Sequence, residues 1–369
     1  MIKMEEIVEK LKEIEDPRHS GYIKYKLADV LSIILCAVLC GLDDLESLHV
    51  FAESNRSLWE ERLGMMNIPS KATFGRILSI VDADAVGKAM SEILQERFGT
   101  KGNVVAVDGK AVCSTSKDGH PHSALQILTA YLTENGVILG QESIHEKTNE
   151  IPVFQQMLGH LAIRGKVVTA DAMHCQRKTC AKIISMQGDY VLGLKQNQPS
   201  LYEDLSLYVE KAGGADFETF QTIEKNAGRI EKRICKKIKD ISWLLPRHDW
   251  PGLRCVFLME RIVDKHGVVS HEISYYISSL DAKPELLMTF VREHWKLESM
   301  HWMLDVTFSE DDRRFLSENA HKTLNAMRKY ALAVHKNFLS TTKKRASIKS
   351  NMLACLLDRI RLLHLLEFL

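Results

Sequence analysis

The chain has 369 residues, 45% of them hydrophobic and 26% charged, and a formal net charge of +1. That length exceeds what one hydrophobic core usually supports and predicts more than one domain, and the composition excludes a disordered chain. The balanced charge excludes a nucleic-acid or membrane partner held by global charge, so any such partner must be read from local patches.

The first residues, MIKMEEIVEKLKEIED, are charged throughout and carry no signal-peptide pattern. The most apolar window, Leu27 to Leu42, is shorter than a membrane span and contains Asp29, which predicts a buried core helix and no membrane partner. Residues 1–95 read as an all-helical N-terminal domain, because apolar positions recur every three or four residues, as in LESLHVFAESNRSLWEERL. In IPSKATFGRILSIVD, Ser70 can cap a short amphipathic helix with Lys71 and Arg76 outward, either an ordinary packing helix or one that enters a DNA groove. Eight cysteines without a CxxC pair predict reduced thiols and a cytoplasmic setting.

From residue 96 the pattern changes. Val104 to Val107 is a strand that runs into Asp108, and ALQILTAYLT and VILGQESI flank Glu134-Asn135-Gly136, a strong hairpin signal. The helix IPVFQQMLGHLAI, the strand VVTAD, the helix CQRKTCAKIISMQ and the strand YVLGLK follow. Three strands, a helix, a strand, a helix and a strand is the order of a ribonuclease-H-like mixed sheet with flanking helices, an α/β fold whose first part spans 96–215. Residues 216–280 read as four strands inserted into that core. From Pro284 the chain is helical: 281–340 supplies the second part of the core, and 341–369 a basic tail and a C-terminal helix.

Three carboxylates stand out. Asp108 shares a strand face with Val104 and Ala106, and Asp171 closes the apolar run VVTA. Each could cap a helix or turn a loop, but two such acids in one sheet point to the crevice where α/β folds bind ligands. Glu298 lies on one helical stripe with Trp295 and Trp302, an arrangement that predicts an inward-facing glutamate in need of a cation. Three carboxylates without clustered His or Cys suit Mg²⁺ or Mn²⁺ rather than zinc, and two such ions can activate a nucleophile and stabilise the leaving oxygen in phosphodiester chemistry. Asp305 or Glu310 could replace Glu298 as the third acid. His120-Pro121-His122 reads as an exposed turn.

DPRHSGY, VDGK, EKTNEIP, TADAMHCQ, YVLGLKQNQ, GRIEKR, YYISSL and HWKLESMHWMLDVTFSEDD occur in that order across nearly the whole chain. Together they resemble the H-repeat-associated transposases of bacterial insertion sequences, a branch of the DDE superfamily. The resemblance implies a DNA transposase that cuts element ends and joins them to double-stranded target DNA, acting as a homodimer near the bacterial nucleoid. The alternative is a decayed or domesticated DNA-binding protein on the same fold. Carried over, the triad is Asp108, Asp171 and Glu298, acting as both catalytic acids and metal ligands. Related transposases often place Tyr, Arg and Lys around the third acid; here those positions are Val291, His294 and Asp305, with Arg292 as a possible substitute phosphate contact. Arg229 and Arg233 in the basic run from Arg229 to Lys239 could contact DNA backbone or form a solvated hairpin face. Lys195 and Gln198 form a second patch, beside a sheet strand.

Overall fold

The computed structural model describes residues 4–116, 124–144, 150–226, 228–312, 317–342 and 346–368. His120 and His122, residues 146–149 of the EKTNEIP segment and residues 343–345 of the basic tail lie outside them. Among the described residues, six α-helices come first: α1 (Met4–Lys12), α2 (Leu27–Leu39), α3 (Leu45–Ser54), α4 (Arg56–Leu63), α5 (Lys71–Ile80) and α6 (Ala83–Phe98). The apolar window is α2, and all thirteen of its residues are buried. Each fully buried Leu, Ile or Val contributes roughly 1.5–3 kcal/mol, which makes α2 a main anchor of the helical region. Among the described residues, no helix is long and apolar enough to cross a membrane.

Among the described residues, nine strands form one sheet. They are β1 (Val104–Val112), β2 (Leu125–Leu132), β3 (Val137–Ile144), β4 (Val167–Ala170), β5 (Asp189–Leu194), β6 (Phe217–Asn226), β7 (Arg229–Ile238), β8 (Cys255–Lys265) and β9 (Val268–Ser278). Between them run α7 (Glu150–Leu158), α8 (Arg177–Ser185) and α9 (Pro199–Lys211). After them come α10 (Pro284–Phe308), α11 (Glu318–Thr341), α12 (Ile348–Leu357) and α13 (Arg359–Phe368).

The sheet order is β3-β2-β1-β4-β5-β9-β8-β7-β6. Its first five strands have the expected ribonuclease-H-like arrangement: β1, β2 and β3 antiparallel, then β4 and β5 parallel to β1. The inserted strands do not form a sheet of their own. β9 pairs antiparallel with β5 and extends the core sheet outward.

Two differences from the expected elements affect the site. β1 does not end at Asp108 but continues to Val112, because β2 pairs with it along that whole length. The stripe of Trp295, Glu298 and Trp302 faces inward only in part: Trp295 and Glu298 line a cavity beside the sheet, while Trp302 is 62% exposed. Other buried residues of α10 are Leu287, Val291, Leu297, Met300, Leu304 and Phe308.

The N-terminal helices pack on α11 and on β3, and one contiguous buried cluster runs from Met4 to Leu366. The polar centre of that packing is Arg328, fully buried on α11. Its guanidinium donates to Asp43 at 2.7 Å and to Glu310 at 3.1 Å, and Glu310 also pairs with Lys110 at 3.0 Å. The N-terminal region is thereby tied to β1 two residues beyond Asp108. All eight cysteines are free thiols.

Candidate active site

β1 and β4 run parallel with Val107 opposite Ala170. One further step along each chain brings Asp108 beside Asp171, on the same face, since in-register residues of a parallel pair point the same way. Asp108 stands where β4 has stopped pairing, so its carboxylate has open space beside it although its own strand continues. Asp171 also does the local job that its sequence position allows: its Oδ1 accepts from the N–H of Ala172 at 2.6 Å and caps a 3-10 turn, Ala172–His174. That hydrogen bond occupies one oxygen and leaves the other for the site.

α10 crosses this face of the sheet. His294 shares a hydrogen bond with the Thr169 hydroxyl at 3.2 Å, and Thr169 lies two residues before Asp171 on the same strand face. One turn beyond His294 comes Glu298, and His301 follows with Nδ1 3.8 Å from Asp108 Oδ2. Asp108, Asp171 and Glu298 thus line one cavity of about 430 Å³.

The electrostatics are those of an acid cluster with little compensation. Burial pushes the Asp108 carboxyl up to about 7 against the pull of the Gly109 N–H, and Glu150, Asp171 and Glu298 add to the rise. Glu298 is raised by burial and by Asp171. Burial lowers His294 to about 4 and His301, with help from Lys329 and Lys110, to about 3, so both imidazoles are neutral and offset none of the negative charge. Lys195 stands 3.7 Å from Asp171 and is 71% exposed. Oxygen donors repelling one another around a cavity fit a hard divalent cation in kind. They do not close around one point: among the described residues, no three His, Cys, Asp or Glu side chains are gathered tightly enough to hold an ion.

The insertion supplies the far wall. Arg233 on β7 and Arg261 on β8 each lie over the Trp295 ring, at 5.7 and 5.6 Å from its centroid, and both bind Oε1 of Glu231. Both arginines and Trp295 line the cavity.

The remaining expected contacts are placed elsewhere. The Arg229 guanidinium is paired with Glu231, and Arg292 with Glu224 at 2.8 Å. Lys236 pairs with Glu260, and Lys237 with Asp281 at 2.6 Å. The basic run is therefore largely neutralised by Glu231 within it and by acids elsewhere, and its Arg229–Lys237 face, instead of being solvated, is substantially buried. The Gln198 amide donates to the Cys175 carbonyl at 2.9 Å and ties down the loop after Asp171. Asp305 and Glu310, the alternatives for the third acid, both hold Lys110.

Sequence reasoning missed Glu150, whose charge reaches Asp108, and Arg261. Glu150 sits in the EKTNEIP segment, so a signal was present, but nothing in that segment says which strand it will touch.

Residues 99–334 match the family model described as transposase DDE domain, and residues 8–93 match one described as DDE_Tnp_1-associated. Among curated relatives, putative transposase YncI of Escherichia coli O157:H7 is 32% identical over 348 residues, 90% of this chain and 87% of that protein. The H repeat-associated putative transposase YhhI of Escherichia coli K12 is 27% identical over 97% of each chain. A looser structural likeness covers 97% of this chain and 78% of the other, with a TM-score of 0.46 at 12% identity, to piggyBac transposase in a synaptic complex with hairpin DNA.

Proposed function

The chain belongs to the transposase DDE domain family, and we propose how this DNA transposase works: Asp108, Asp171 and Glu298 are its catalytic acids, holding two Mg²⁺ or Mn²⁺ ions for cleavage at element ends and strand transfer into target DNA. The observation that carries this reading is the parallel register that sets Asp108 beside Asp171, with Glu298 lining the same cavity.

The ions, when bound, supply activation of the attacking oxygen and charge stabilisation at the leaving one. This chain's own groups do the rest. Thr169 and His294 fix α10 over the sheet and so set where Glu298 enters. Lys195, exposed beside Asp171, is placed to meet a DNA phosphate at the cavity mouth. Arg233 and Arg261 hold Trp295 in the cavity wall. The partners are double-stranded element ends and target DNA, engaged by a homodimer in the cytoplasm near the nucleoid, since two ends must be processed together.

The test is cleavage of a plasmid carrying the DNA that flanks this gene, with Mg²⁺, by the wild type and by Asp108→Asn, Asp171→Asn and Glu298→Gln. Cutting at the flanking repeats that all three variants lose supports the assignment. Binding without cutting in Mg²⁺ or Mn²⁺ means a decayed enzyme, and full activity in any variant removes that residue from the triad.

A further inference from the structure

Gly109 follows Asp108 directly and is approached closely by a carboxylate from another element. A Cβ built there would lie 2.7 Å from Oε1 of Glu150 and 3.2 Å from its Oε2. The Glu150 carboxylate thus rests on the backbone of the strand that carries Asp108. The same Oε1 accepts a hydrogen bond from Nε2 of His174 at 3.0 Å. His174 is fully buried, packs its ring against Phe154 with centroids 4.5 Å apart, and closes the 3-10 turn that Asp171 caps. One side chain therefore meets both strand acids indirectly, Asp108 across Gly109 and Asp171 through His174.

We propose that Glu150 is a positioning residue of this site: with His174, it fixes the turn bearing Asp171 against the strand bearing Asp108, so that the two carboxylates are held as a pair. The Glu150 side chain is only 12% exposed, and a carboxylate so enclosed is costly unless it is hydrogen-bonded. Its partner sits on a different element, so the bond stays made only while the turn stays in place. Gly109 gives the carboxylate the room it needs, and Phe154, on the same helix as Glu150, sets the imidazole's orientation. This inference rests on the metal-holding role given above to Asp108 and Asp171.

The test uses the full chain and Mn²⁺ alone, titrated by electron paramagnetic resonance, alongside cleavage of the same plasmid. Outer-shell partners of this kind typically matter 10–100-fold, so Glu150→Ala and His174→Phe should each weaken Mn²⁺ binding by about that factor and lower kcat without moving KM for the plasmid. Glu150→Gln keeps an oxygen that His174 can donate to, and should stay within about threefold of wild type. The double variant Glu150→Ala/His174→Phe should be no worse than the poorer single, because the two residues act through one bond. Should Glu150→Ala fail to fold, His174→Phe and Glu150→Gln decide between them.

Wild-type Mn²⁺ affinity in both Glu150→Ala and His174→Phe, or additive losses in the double variant, would overturn the proposal. So would a Glu150→Gln protein as damaged as Asp108→Asn, which would make Glu150 a direct ligand. A failure of the underlying reading looks different: Asp108→Asn would then bind Mn²⁺ normally, and the positioning role would fall with it.

Discussion

Asp108→Asn should stabilise the metal-free protein at neutral and alkaline pH while abolishing cleavage. Burial, then Glu150, Asp171 and Glu298, raise the Asp108 carboxyl from 3.8 to about 7. At about 1.4 kcal/mol per pKa step, that rise corresponds to about 4 kcal/mol against the ionised form in the fold. The side chain is 28% exposed, so solvent screens only part of it. Below pH 3.8 the carboxyl is protonated in both the folded and the unfolded chain. Between there and about pH 7 the folded chain holds the extra proton, so stability falls as pH rises through that window and the full cost is present above it. Asparagine carries no charge and escapes this cost. In EDTA at pH 8 the variant should be more stable by up to about 4 kcal/mol in urea unfolding, and the advantage should vanish near pH 4. Mg²⁺ at 100 times its Kd should narrow the gap, since a ligand at that level stabilises the wild type by about 2.7 kcal/mol and the variant lacks a donor. A variant no more stable than wild type at pH 8, or an advantage that does not change with pH, would refute the reasoning.

Two other perturbations probe what surrounds the acids. Glu310→Gln removes the charge shared by Arg328 and Lys110 and should cost about 3–5 kcal/mol, read as a lowered urea midpoint. Burial would raise Glu310, but Arg328 and Lys110 hold it down at about 2, so its contribution is present above pH 4.5 and fades as pH falls toward 2, where variant and wild type should converge. Lys195→Ala should weaken binding to duplex DNA of any sequence and reduce the slope of log K against log salt by about one, measured by fluorescence anisotropy in a KCl series. An unchanged slope would remove Lys195 from the DNA contact.

The order of strands and helices was legible in the chain because apolar periodicity and β-branched runs are local properties, and a strand such as Val104–Val107 announces itself without its neighbours. That Asp108 and Asp171 would meet at one cavity was legible for a related reason: a carboxylate in or after an apolar strand is anomalous wherever that strand ends up. What covers each face was not legible. The stripe of Trp295, Glu298 and Trp302 has the spacing of a buried face, yet only Trp295 and Glu298 line the cavity and Trp302 is 62% exposed, because what covers each turn of α10 comes from distant parts of the chain. The basic run on β7 kept its strand spacing but lost its free charge to Glu224, Glu231, Glu260 and Asp281. Glu150 belongs with that second group: its contacts are Gly109, 41 positions earlier, and His174, 24 later. Periodicity tells a chain which of its faces avoids water. Only the tertiary structure chooses which distant side chain meets it, because ion pairs and parallel register depend on distance in space rather than on separation along the sequence.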